Sequence, residues 1–562
     1  QAARDRIVDD LRATLFIEAG AGAGKTRSLV DRVVQLVLHD VPITAIAAIT
    51  FTETAAAELR HRVRGALEGL PDDRAVQAAA DLDHAPIGTL HSFARRILNE
   101  FPIEAGLPPG FRVLDALESD MYFDDEWEEF LDDLLDDPEP PGGIVDGGSA
   151  LVDLVEFDRL SFQRDLKEVA TAFRWNWDLV EARVDLTSPP PFEIDLSDLV
   201  AEMRSICATP APPDDTQAAR LELIGEFADR MGPTSGMLPA LRALDDAAGT
   251  LSSGGRTGNK AKWRDHGGED ALQNLRDRQA ELAERLLDRL DEFKAYRKRV
   301  LGAVCGRFVL ERTAHRAEAG TLEFHDLLVR ARQLLAADPA VRDALHSSYR
   351  CLLLDEFQDT DPIQLEIAVR LAAAPDDPAH LHDWTELRPV PGRLFIVGDP
   401  KQSIYRFRRA DIAQYLRTPR QIRAEIERLS ANFRSTAQVI EASNQLFDSL
   451  IRFAEDAQPE FQPLSPCRLE EARGHGTVTM LGADFHDDLA GQRSNAEQLR
   501  SREAADVVGA VTTALAEQWP VWDRDDGRLR PCRPGDICIL LPTRLSLAAL
   551  EREMRAAELP YR

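Results

Sequence analysis

AGAGAGKT, Ala19 to Thr26, sets a lysine and a hydroxyl behind six small residues. Ala19, Gly20, Ala21, Gly22, Ala23 and Gly24 let the backbone close tightly, so that its N–H groups can surround phosphate oxygens. Lys25 then supplies positive charge at the β and γ phosphates, and the Thr26 hydroxyl can ligate Mg²⁺. The first position is Ala19 where the usual pattern has Gly. An ordinary glycine-rich turn before a helix is the plain alternative, and the intact GKT weighs against it.

A second stretch, LLLDEFQDTDPIQ, crowds Asp355, Glu356, Asp359 and Asp361 into seven residues. Crowded carboxylates repel one another and are costly to bury. A solvated strand end would explain Asp355 and Glu356 taken alone. Beside a phosphate loop they fit a partner acid site. Asp355 would hold the Mg²⁺ shell, with Glu356 close to the same ion and orienting or deprotonating an attacking water. Asp361, just before Pro362, fits a turn or a helix cap.

Such residues need strands and helices to hold them. TLFIEAG before the loop reads as a strand and TRSLVDRVVQLVL after it as a helix. AIAAITFTETAAAELRHRV repeats strand, turn, helix; CLLLDEF and GRLFIVGDP are two more apolar runs ending in acids or glycine. Alternating strands and helices with polar strand ends predict an α/β fold with a parallel sheet and a site at the strand C-termini. Between about 116 and 300 the pattern turns helical, broken by the Pro-rich PPPFEI and TPAPPDD and the Gly/Ser-rich GTLSSGGRTGNK. A helical domain inserted into the α/β domain accounts for the 330 residues between Lys25 and Asp355. After about Leu429 a new α/β segment begins, with helices at STAQVIEASNQLFDSLI, SREAADVVGAVTTALAEQ and LEREMRAAE and a strand at DICILLP.

Composition bounds the function. The 562 residues carry a net charge of −30, against a globally basic nucleic-acid binder but not against a local basic or aromatic track. Seven of the 67 basic residues are lysine. The six cysteines are widely spaced and predict reduced, mostly buried thiols. No apolar run reaches membrane-spanning length, and no leader pattern follows Gln1. These features predict a cytoplasmic chain with no membrane association. The acidic segment 120–137 reads as a solvated helix face, with a partner surface as its alternative.

In chain order, AGAGAGKT, TFTETAAAELRHR, GTLHSFARRIL, LLLDEFQDTDPIQ, VGDPKQSIYRFRRADI and LSANFRST resemble the UvrD/Rep-like superfamily-1 DNA helicases. EFHDLL and YRFRRADI are more similar to the RecB/AddA helicase–nuclease branch. The resemblance implies a RecA-like P-loop motor domain with an inserted helical domain, followed by part of a second RecA-like domain. The implied boundaries are 1–115 and 301–428 for the first motor domain, 116–300 for the insertion and 429–562 for the incomplete second motor domain. It implies ATP and Mg²⁺ as cofactors.

The resemblance also carries roles. Gln1 stands near the adenine-reading position, and Arg27 near the base or ribose. Gln402 resembles a γ-phosphate sensor and Arg434 an arginine finger; Phe433, in place of the more usual Tyr, would stack on adenine. Phe51, Tyr405 and Phe407, the last in place of a more frequent Trp, would stack on DNA bases. Thr89, His91, Ser92 and Arg408 would contact phosphates or sugars. The implied activity is ATP-driven movement on single-stranded or 3′-tailed DNA, 3′→5′, in repair or recombination, with a nuclease or helicase partner subunit. Later motifs of the family, among them a second arginine-bearing one, do not occur. The chain is therefore expected to be a truncated motor that hydrolyses ATP poorly. Two other readings are the helicase subunit of a RecB/AddA-like helicase–nuclease whose nuclease domain is missing here, and an ATP-gated DNA-binding scaffold that does not unwind.

Overall fold

The computed structural model describes residues 1–136, 154–155, 157, 162–187, 189–190, 192, 195–232, 237–252, 257–467, 478–480, 496–523 and 526–562. Asp137 and parts of the expected PPPFEI and GTLSSGGRTGNK loops lie outside them. The chain divides into two compact units, 1–101 with 330–562, and 102–329.

The first unit is built on six parallel strands: β1 (Leu15–Ala19), β2 (Ile46–Thr50), β3 (Ile87–Thr89), β4 (Cys351–Leu354), β5 (Leu394–Gly398) and β6 (Glu425–Leu429). Their order is β3-β2-β4-β5-β1-β6. β2, β4 and β5 are buried at every residue. That is why they read as unbroken apolar runs: helices cover both faces of a parallel sheet. Helix α1 (Ala2–Asp9) precedes β1, and α2 (Lys25–Leu38) follows it. The fully buried Arg32 of α2 donates to the carbonyls of Ile7 (2.9 Å) and Asp10 (2.6 Å) and stacks over Phe395. This pins α1 beside the loop that follows β1.

Helix α3 (Glu53–Glu68) is capped by the Thr52 hydroxyl, and α4 (Leu90–Glu100) by that of Thr89. Both are strong N-cap types, and each halts its strand at a polar turn.

β6, EIERL, is an edge strand with mostly exposed side chains, held to β1 in register from Leu15↔Glu425 to Ala19↔Leu429. Beyond it β7 (Ala431–Asn432) pairs with β8 (Ser465–Pro466), and α5 (Ala437–Leu450) follows β7. Farther on, α6 (Ala496–Ala516) packs on α7 (Leu547–Ala556) through Ala504, Val508, Ala549, Leu550 and Met554.

Two expectations fail here. DICILLP is not a strand: residues 537–542 form no ladder among the described residues, and Leu540 is 88% exposed. Its apolar run is strand-like, but a strand requires a neighbour for its backbone groups. Nor are the cysteines mostly buried. All six are free, but only Cys305 and Cys351 are buried, while Cys467 and Cys538 are exposed.

Among its described residues the second unit is helical, apart from a two-residue pairing of Arg112–Val113 with Thr321–Leu322. Its longest helix runs 52 residues, Gly268–Ala319, about 78 Å. It ends at Gly320, whose φ of +70° suits glycine. The helix Ala116–Asp136 buries Phe123, Trp127, Leu131 and Leu134 at helical spacing. Asp120, Asp124, Asp125, Asp132 and Asp133 are exposed, a solvated acidic face.

Buried charges gather at EFHDLL. Arg174 bonds Glu323 at 2.9 Å; Arg316 lies 3.8 Å from both Glu323 and Asp326; Trp177 donates to Asp326 (2.8 Å). His325 meets Asp178 at 2.8 Å.

Candidate functional site

The glycine-rich turn leaves β1 at Ala19 and enters α2 at Lys25. Gly22 (φ +67°) and Gly24 (φ +85°) hold left-handed backbone that other residues rarely adopt. The Ala23 N–H closes onto the Gly20 carbonyl (3.0 Å). Lys25 leaves the first turn of the helix and reaches Glu356, its Nζ 2.5 Å from Oε2. Positive charge, loop amides and a helix N-terminus therefore converge, the arrangement that favours a phosphate chain.

The acids stand at the end of β4, two strands from the loop. Asp355 N–H bonds Ile49 O (2.8 Å), fixing the strand end, and Asp355 Oδ1 accepts the Glu356 N–H (2.9 Å). Glu356 has φ +49°, a conformation that costs about 1–3 kcal/mol outside glycine and persists only where the surroundings impose it. Lys25 and the Gln358 amide (2.7 Å) hold its carboxylate. Burial, with Glu356 beside it, pushes the Asp355 carboxyl up to about 6. Burial likewise pushes Asp359 up to about 6, and its Oδ1 has no hydrogen-bond partner among the described residues.

A divalent cation fits this donor set, because it would favour the ionised form of the carboxyl that burial disfavours. Asp355 and Glu356 are residues that could hold it, and the Thr26 hydroxyl follows Lys25 in the first turn of α2. A cavity of about 20 Å³, room for one water, touches Asp355, Glu356, Phe51, Thr360 and Gln364.

Gln358 extends the acid turn to the next strand. Its Oε1 accepts the Asp399 N–H (2.9 Å), and its carbonyl accepts the Ser403 hydroxyl (3.0 Å). Asp399 in turn holds Lys401 (3.0 Å) and the Gln402 amide (2.8 Å). Gln402 is thus tied into the acid network.

Ser403 leads into an aromatic ladder. Phe51 and Tyr405 lie 4.6 Å apart, Tyr405 and Phe407 5.7 Å, and the Arg408 guanidinium sits 5.8 Å from the first two rings. Phe407 is 80% exposed. Asp361 caps the helix Pro362–Ala372 and pairs with Arg409 at 2.9 Å, steadying the turn that carries the ladder.

Thr89 bonds Glu53 (2.8 Å) and caps α4, and the Ser92 hydroxyl returns to the Thr89 carbonyl (2.8 Å). Gly88 leaves room for that hydroxyl, since a Cβ there would lie 2.4 Å from it. His91 stands between them, partly exposed.

At the base end, the structure rearranges the expectation. The Gln1 amide bonds Asp5 (2.7 Å), and Arg27 bonds Asp31 (2.8 Å). Arg4 instead meets the loop, donating to Ala23 O (2.5 Å) and lying 5.1 Å from the Phe433 ring. Asn432 donates to Ala21 O (2.6 Å) and accepts from the Arg434 N–H (2.9 Å), so the turn bearing Phe433 and Arg434 rests on the loop. Sequence reasoning missed Arg4 and Asn432. The signals were an arginine on α1 and an Asn three residues beyond the end of β6.

A phosphate loop at one strand end, with an acid pair two strands away and an aromatic ladder beyond, defines a class of ATP-site α/β protein. A family model for the UvrD/REP helicase N-terminal domain matches residues 1–423, and the chain belongs to that family. Among its relatives are proteins named as the A-type subunits of ATP-dependent helicase/nucleases. The one from Listeria innocua is 24% identical over 97% of this chain and 47% of the relative. The Lysinibacillus sphaericus one is 26% identical over 97% and 48%, and the Levilactobacillus brevis one 27% over 99% and 48%. The chain spans about half the length of these relatives. Their names fall on the helicase–nuclease side of the resemblance. No helix among the described residues is long and apolar enough to cross a membrane.

Proposed function

We propose that this chain carries the ATP-driven motor of a DNA translocase that moves 3′→5′ on single-stranded or 3′-tailed DNA and serves repair or recombination. The observation that supports this best is one hydrogen-bonded chain. It runs from Lys25 through Glu356 to Gln358, which branches to Asp399 and to Ser403, the residue that leads into the aromatic ladder. In this reading a change at the γ-phosphate end is passed from Lys25 through Glu356 and Gln358 to Ser403.

In this reading the loop amides and Lys25 bind the triphosphate of ATP. Glu356 orients the attacking water and accepts its proton. Arg434 places positive charge where phosphoryl-transfer charge develops, and Gln402 senses the γ-phosphate from Asp399. Thr26, Asp355 and Glu356 would hold Mg²⁺, which would supply positive charge against the phosphates. Phe51, Tyr405 and Phe407 stack on bases, each worth about 1–3 kcal/mol with little regard to sequence, while Arg408, Thr89, His91 and Ser92 hold the backbone. This lets an acidic chain hold a single strand.

The assigned layout is a RecA-like motor domain of 1–115 and 301–428, a helical insertion of 116–300 and a second motor segment from 429. The relatives' names favour a second, narrower reading, one component of a helicase–nuclease that works with a partner subunit. A DNA-binding scaffold is disfavoured, since binding alone needs no acid held in the strained backbone of Glu356.

The test is ATP hydrolysis and unwinding of a 3′-tailed duplex by the full-length protein. Turnover stimulated by single-stranded DNA, with 3′-tailed duplex unwound in preference to 5′-tailed, is expected. Hydrolysis without unwinding would favour the scaffold.

A further inference from the structure

The register of β6 on β1 ends at Ala19↔Leu429, and the Gly20 N–H bonds the Leu429 carbonyl at 3.0 Å. The turn after β6 is therefore laid along the phosphate loop by sheet pairing alone. Three successive loop carbonyls then meet donors from outside the loop. Ala21 O accepts from Asn432 Nδ2 (2.6 Å), Gly22 O from the Phe433 N–H (3.1 Å) and Ala23 O from Arg4 Nη2 (2.5 Å). In a trans peptide the N–H opposes the C=O. Turning these carbonyls outward turns the N–H groups of Gly22 and Gly24 toward the other side, where an anion would be met.

Asn432 does more than hold the loop. It is 1% exposed, and its Oδ1 accepts both the Arg434 N–H (2.9 Å) and the Ser435 N–H (2.8 Å). The oxygen faces two donors and the nitrogen faces a carbonyl, so the amide has one sensible orientation. The fit is close: a Cβ on Gly22 would lie 2.6 Å from Asn432 Nδ2 and 2.8 Å from Arg434 Cβ.

We propose that Asn432 is the positioning residue for Arg434. Its amide ties the backbone of the arginine turn to Ala21 of the phosphate loop, so that the loop's arrangement sets where the guanidinium stands. Arg434 thereby belongs mechanically with the phosphate loop, and any opening of the segment beyond it must bend after Ser435. Arg4 grips the neighbouring carbonyl, Ala23 O, and lies over the Phe433 ring.

The proposal rests on the arginine-finger reading of Arg434, and a double-mutant cycle separates the two. DNA-stimulated turnover and binding of a fluorescent ATP analogue are measured on full-length wild type, Asn432→Ala, Arg434→Ala and the double variant. Asn432→Ala is expected to lower kcat at least tenfold while analogue affinity changes less than threefold. In the Arg434→Ala background the same substitution is expected to change kcat less than twofold, because its target is gone. Asn432→Asp keeps the acceptor for Arg434 and Ser435 but loses the donor to Ala21, so its kcat should fall between wild type and Asn432→Ala. It also serves if the alanine variant does not fold. Equal losses in both backgrounds, or an unchanged kcat in Asn432→Ala, would overturn the proposal. An unchanged kcat in Arg434→Ala alone would overturn the finger reading, and the proposal with it.

Discussion

Two regions bury crowded carboxylates, and they manage the charge in opposite ways. In the helical unit, Glu323, Asp326 and Asp178 meet Arg174, Arg316 and His325 within the fold. In the α/β unit, Lys25 serves Glu356, while Asp355 has its carboxyl pushed up to about 6. The first cluster brings its own counter-charge and behaves as a structural joint. The second is short of positive charge at the end of a strand, where a ligand and its cation arrive. Acid crowding alone does not mark an active site; crowding with fewer cations than carboxylates points to one.

Substitutions should separate the two. Glu356→Gln removes the proton acceptor and should lower ATP turnover about 10²–10⁴-fold, with nucleotide binding retained. Steady-state hydrolysis and a binding titration read this out, and unchanged turnover would remove Glu356 from the mechanism. Glu323→Leu leaves Arg174 buried beside an apolar group and should cost about 3–5 kcal/mol of stability. Denaturant unfolding checks it; a loss of turnover without a loss of stability would make the joint a second functional site.

Phe407→Ala, at the exposed rung of the ladder, should weaken single-stranded DNA binding by about 1–3 kcal/mol and leave basal hydrolysis intact. Fluorescence anisotropy with an oligonucleotide decides it.

The smallest effect is the most diagnostic. Because the folded Asp355 carboxyl titrates near 6 rather than 3.8, its stabilising contribution is fully present below about 4 and lost as pH rises past about 6. Asn does not ionise. Metal-free Asp355→Asn should therefore unfold a few degrees above wild type at pH 8, and the gap should close toward pH 4. A gap independent of pH would mean that Asp355 is not under this strain.

Much of the site was legible because its parts are contiguous. AGAGAGKT and LLLDEFQDTDPIQ each hold a strand end, a turn and reactive side chains in one run, so local rules placed them. β6 was not legible: EIERL is a charged, exposed edge strand whose identity comes from pairing with β1, 410 residues away at Glu18 and Arg428. DICILLP failed in the opposite direction, strand-like in composition with no ladder to join. Arg4 and Asn432 act through contacts that exist only once α1 is pinned by Arg32 and β6 is laid beside β1. Helix geometry gives the Gln1 and Arg27 side chains an acid partner four residues along in each case.

The central claim is that the strand-end acids are built for a metal-bound nucleotide. Thermal unfolding at pH 8 with a non-hydrolysable ATP analogue, with and without Mg²⁺, tests it in wild type and Asp355→Asn. Adding Mg²⁺ should raise the wild-type midpoint by several degrees beyond the analogue alone and leave Asp355→Asn nearly unmoved. An equal rise in both proteins would contradict the account.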